Sequence, residues 1–169
     1  MIQSADIQLQ VVLRALKDVV APALAKADKH VIEQLHLSMA TIGFVKTRLP
    51  DIRRFCRMEL RAYRALANEL ADIAAADLPE QGAELRTIAG HAQAALDDPE
   101  RDNEDYEALT RRLRERITAL STAATGLPCQ HKVNQTILER HGPIADQGRV
   151  WCLPFGFELE PDKLAAPGW

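Results

Sequence analysis

Five stretches of this chain place apolar residues three and four positions apart, and prolines or glycines punctuate the joints around them. That spacing returns side chains to one face of a helix, whereas a strand would scatter them over both faces. The pattern therefore commits the chain to amphipathic helices that need a common core.

The first stretch carries Leu9, Val12, Leu13, Leu16, Val19, Val20 and Leu24, with Ser4 placed to cap its N-terminus. Pro22 lies inside it, and a proline removes a backbone donor and crowds the preceding turn, which predicts a kink or a break. The second runs from about Asp28 to Arg48 with Val31, Leu35, Met39, Ile42, Val45 and Leu49 in line, and Leu49-Pro50 ends it. Pro50 suits the first turn of a third helix with Ile52, Phe55, Cys56, Tyr63, Leu66, Leu70 and Ile73 inward. A fourth lies between Asp77-Leu78-Pro79 and Asp97-Asp98-Pro99, with Leu85, Ile88, Ala89, Ala92 and Leu96 on its core face. Its small residues admit a close neighbour. The fifth aligns Tyr106, Leu109, Leu113, Ile117 and Leu120 and closes at Gly126-Leu127-Pro128. A short sixth helix, about His131 to His141, is expected to stop at Gly142-Pro143.

Alanine and leucine take the place of aromatics, which are only 5% of the chain, and this mixture favours helices. A length of 169 residues suits one core. The expected fold is an all-α, up-and-down helical bundle of about five helices plus a short sixth. It is read as a single domain over 1–169, with the main bundle in 1–127. Residues 128–169 then supply the short helix and an extended, proline- and aromatic-rich segment packed on the bundle. The run Val150-Trp151-Cys152-Leu153-Pro154-Phe155-Gly156-Phe157 is too apolar to stay in water, so Trp151, Phe155 and Phe157 are expected to dock on the bundle or on a partner.

A formal charge of −3 gives no bulk attraction to nucleic acid or to anionic lipid. No run of 18 apolar residues exists to span a membrane, and the N-terminus has neither a basic nor an apolar leader region. Three widely spaced cysteines form no framework, which predicts reduced thiols and a cytoplasmic protein.

Four groups of residues carry chemistry. Glu59 falls between Phe55, Cys56, Tyr63 and Leu66 on an apolar stripe, where a carboxylate must be hydrogen-bonded, paired or protonated. Tyr63, one turn on, and Ser38 from the second helix are its expected partners, either structurally or around the internal pocket of a small-molecule binder or an enzyme, the alternative reading of the chain. Arg53, Arg54, Arg57, Arg61 and Arg64 share the opposite face, an accessible surface that could hold an anion or an acidic partner. Glu33-Gln34-Leu35-His36 has the E-x-x-H spacing of di-iron bundles, but it occurs once and points away from the core. Cys129, His131, His141 and Cys152 lack the close pairs of a structural zinc site. The expectation is no metal, no cofactor and no catalytic constellation. The chain is read as a non-enzymatic bundle that acts by association, as a homo-oligomer or an accessory subunit.

Overall fold

The computed structural model describes residues 4–169. It is an all-α helical bundle, 78% helical, with no strand among the described residues. Six helices follow one another: α1 (Ala5–Ala15, continued by Leu16–Val20 and Ala21–Ala23), α2 (Lys29–Arg48), α3 (Ile52–Ile73), α4 (Pro79–Asp97), α5 (Asn103–Ala123) and α6 (Gln130–Cys152). Short 3-10 turns at Leu153–Phe155 and Pro161–Lys163 complete it.

The chain gathers into two units. The first comprises residues up to Asp51 together with Trp151–Pro161, the second Ile52–Val150 with Asp162–Trp169. The 128–169 segment is thus shared between them.

In the first unit, Ser4 caps α1 by accepting from the Ile7 amide at 3.4 Å. Pro22 does not snap the helix. The preceding turn widens to π geometry over Leu16–Val20, and the Ala21 amide donates to the Leu16 carbonyl five residues back. This relaxes the crowding that a proline ring imposes on the carbonyl four residues before it. The helix ends at Ala23, and α2 returns alongside it, with Lys46 bridging to Asp6 at 3.2 Å. Neither α1 nor α2 contains a single buried residue.

The second unit holds the core. Helices α3, α4 and α5 pack on one another around Leu60, Leu66, Leu70, Leu85, Tyr106, Leu113 and Leu120, all 1% exposed or less. Alanines at 71, 74, 89 and 92 bring α3 and α4 close, and a Cβ on Gly82 would sit 3.2 Å from the Ala71 carbonyl oxygen. Pro79 opens α4, where its missing N–H is no loss, and Gly126 leaves α5 in the left-handed region at φ 80°.

The last helix corrects the sequence reading. Gly142-Pro143 does not end it, and α6 runs on to Cys152 with Pro143 inside. Val133, Thr136 and Val150 are buried along it, and Ile137 and Ile144 pack against the core. Burial on both sides of the proline offsets the roughly 3 kcal/mol that an interior proline costs.

Candidate functional site

Glu59 stands beside the buried stripe of α3 rather than on it. Cys56, Leu60, Tyr63, Leu66, Ala67 and Leu70 fill that stripe, and Glu59 is half-buried at its edge, facing α5. Cys56 Sγ lies 3.7 Å from Glu107 Oε1, and the Arg114 guanidinium stands 5.8 Å from the centre of the Tyr63 ring. Both pairs are 51 positions apart, so α3 and α5 run parallel and in register. That register puts Glu59 level with Thr110, whose buried hydroxyl has no hydrogen-bond partner among the described residues.

Burial raises the Glu59 pKa; Arg114 pulls it down and Glu107 pushes it up. Burial also raises the Tyr63 hydroxyl, against the same arginine. The Cys56 thiol is pushed up to about 11 by burial and by Glu107, which makes it a poor nucleophile at neutral pH. Ser38 lies in the first unit. It is exposed, and its hydroxyl donates to the Gln34 carbonyl one turn back at 2.8 Å.

A cleft of about 310 Å³ opens next to Tyr63, with Leu66, Ile117 and Ile137 as its apolar surface and Arg114, Thr118 and His141 at its polar side. The His141 ring meets Tyr63 edge-on with centroids 6.3 Å apart. Arg114, Glu107, Thr110 and His141 were not legible as neighbours of Glu59, because only the parallel register of α3 and α5 and the packing of α6 bring them there. Chemically, the group offers one cation, one half-buried acid and a phenol beside an apolar surface. It holds no activated nucleophile.

The arginine face divides. Arg53 and Arg57 are half-buried and serve the chain itself. Arg53 donates to the carbonyls of Arg101 and Pro99 at 2.6 and 2.5 Å, and Arg57 to the Leu96 carbonyl at 2.7 Å. Both also donate to the Tyr106 hydroxyl, at 3.2 and 2.8 Å, with each guanidinium 5.4 Å from the ring centroid. Together they satisfy carbonyls left over where α4 ends, as basic groups at helix C-termini do. Arg64 donates to Gln93 Oε1. Only Arg54 and Arg61 remain exposed, so the expected five-guanidinium surface is not there.

The metal-capable groups stay apart. Glu33 is exposed and bridged to Lys29 at 3.6 Å, and His36 is exposed. Cys129 is buried, with its amide donating to Asp77 Oδ2 at 2.9 Å, while His131 and Cys152 are exposed. Among the described residues no three His, Cys, Asp or Glu side chains cluster to hold a metal, and no helix is long and apolar enough to cross a membrane.

The aromatic segment packs on α2 within the first unit. The Phe155 ring stacks on Phe44 at 4.1 Å, Trp151 meets Phe44 edge-on at 6.3 Å, and Arg48 Nε donates to the Trp151 carbonyl at 2.8 Å. Trp151 and Phe155 are half-buried, but Phe157 is 81% exposed, its ring stacked on Phe155 at 6.0 Å. The far end of the segment belongs to the second unit, where Trp169 lies edge-on to Phe55 and Gln147 bonds Ala166 and Gly168.

Exposed apolar residues are spread unequally. Of the nine large exposed hydrophobics among the described residues, eight lie in the first unit: Ile7, Val11, Val12, Val19, Leu37, Val45, Phe157 and Leu159. Every buried apolar residue among those described lies in the second. Comparison with protein-family models, with curated proteins and with solved structures finds no match.

Proposed function

We propose that this protein is a non-catalytic helical bundle that acts by association, and that the helical hairpin α1–α2 is its binding element. The observation that carries this reading is the unequal division of apolar surface. The second unit has a filled core of its own. The hairpin buries no residue and leaves Ile7, Val11, Val12, Val19, Leu37 and Val45 between 40% and 67% exposed. A monomeric surface rarely keeps such a set uncovered.

The exposed fractions add up to about three whole side chains. At roughly 1.5–3 kcal/mol for each fully covered aliphatic side chain, they leave about 5–9 kcal/mol per chain for a partner to claim. Two helices alone cannot enclose an apolar layer; a third or fourth must come from elsewhere.

The groups at Glu59 and Tyr63 support a structural role better than a reactive one. The Cys56 thiol beside them is held protonated, and among the described residues Glu59 makes no hydrogen bond to His141, the base next to Tyr63. The test is sedimentation velocity of the purified protein over two decades of concentration, with fluorescence of the apolar dye ANS measured in parallel. Self-association, or dye binding by the monomer that is lost in the Val12→Glu/Leu37→Glu variant, supports the reading. A monomer that binds no dye overturns it.

A further inference from the structure

Three helices of the second unit meet at the cleft beside Tyr63, and each supplies residues three or four positions apart, on one helix face. Tyr63 and Leu66 come from α3, Arg114 and Ile117 from α5, and Ile137 and His141 from α6. The apolar members belong to the core: Leu66 and Ile117 are 1% and 6% exposed, and Ile137 packs against the same cluster. The polar members gather round one ring. The Arg114 guanidinium stands 5.8 Å from the centre of Tyr63, and the His141 ring lies edge-on to it at 6.3 Å. Two of these groups have no partner of their own. Tyr63 is 4% exposed, yet its hydroxyl makes no hydrogen bond among the described residues. A buried phenol normally finds a partner, and the open space that Tyr63 borders is this cleft. Arg114 has no carboxylate at ion-pair distance among the described residues, and the cation–π contact holds it over the ring without neutralising its charge.

We propose that this cleft binds a small organic monocarboxylate with an aliphatic body. Its carboxylate sits on Arg114 and the Tyr63 hydroxyl, and its chain lies against Leu66, Ile117 and Ile137. A volume of about 310 Å³ is that of a site for a small molecule. A guanidinium and a hydroxyl donor together favour an anion over an amine, because a carboxylate accepts from both. His141 adds a further N–H donor in either charge state. Glu59, one turn before Tyr63, selects a single negative charge. It already attracts Arg114, so a dianion such as phosphate would meet one cation shared with a carboxylate. None of the hairpin residues borders the cleft, so binding here is independent of the association reading.

The experiment is isothermal titration of the full chain with sodium octanoate, with octanamide and acetate as controls for the charge and for the aliphatic body. Octanoate is expected to bind at a single site, and octanamide and acetate each at least about tenfold more weakly. Arg114→Gln, at an exposed position where folding is little at risk, should weaken octanoate about tenfold. Tyr63→Phe keeps the packed ring, and losing the hydroxyl should weaken binding about fivefold. Arg112→Gln removes the same charge from α5 outside the cleft lining and should change nothing, as should Val12→Glu/Leu37→Glu in the hairpin. Circular dichroism confirms that each variant keeps its helices. No saturable binding below about 10 mM, equal affinity for octanamide, or an Arg114→Gln variant that binds like wild type overturns the proposal. So does a loss confined to the hairpin variant, which would put octanoate on the exposed hairpin instead and leave the association reading standing.

Discussion

Arg57 shows how much a single residue's role depends on groups that lie far away in sequence. From the chain alone it is one of five arginines on a helix face. In the fold it donates to Leu96 and to the hydroxyl of Tyr106, a residue with no exposed surface. Arg57→Ala should lower stability by about 1–3 kcal/mol in a urea titration, since it strands the Leu96 carbonyl and leaves the Tyr106 hydroxyl only the longer bond from Arg53. Arg61→Ala, one turn on and exposed, should stay within about 0.5 kcal/mol. Equal effects would show that Arg57 makes neither bond. Glu59 allows a pH test. Burial raises its folded-state pKa above the ordinary 4.5, so the folded chain holds this proton more tightly than the unfolded one. Stability contributed here is present below pH 4.5 and is lost as pH rises through the folded-state value. Glu59→Gln should therefore melt above wild type at pH 8, with the gap closing as pH falls towards 4.5. A constant gap would mean that charge on Glu59 is not what separates the two proteins.

Among the elements, the helices were legible because their punctuation is local. Ser4 caps α1, Leu49-Pro50 separates α2 from α3, Pro79 opens α4, and Gly126 follows α5. Where the sequence misled, a long-range term overrode a local one. Gly142 and Pro143 signal a stop, yet Ile144 and Val150 find places in the core and carry α6 through. The contest can be measured. Pro143→Ala restores an amide for the Glu139 carbonyl and should stabilise the chain by up to about 3 kcal/mol in denaturant unfolding. A loss of stability would show instead that the proline ring fits its site. The stripe of α1 was only half read. Leu9, Leu13 and Leu16 follow the period of one face and are half-buried, whereas Ile7 and Val11 lie off it, and their solvent exposure was a signal present in the spacing.

Taken as a whole, the molecule divides its apolar residues in a way that no composition reveals: one unit holds the core and the other holds the uncovered surface. The candidate site around Glu59 was legible as an acid near an apolar stripe. Its neighbours Arg114 and Glu107 were not, since they are set by the pairing of two helices fifty residues apart. The makeup of the first unit also sets a timetable. Its aromatic contacts join Phe44 to Trp151 and Phe155, so about a hundred residues must be made between the two sides of one cluster. At ribosomal rates of about 5–20 residues per second, α1 and α2 wait about 5–20 s for Trp151 and Phe155 to be made. Throughout that interval the hairpin's valines and leucines stand bare on the nascent chain, and neighbouring chains on one messenger carry the same surface at close range.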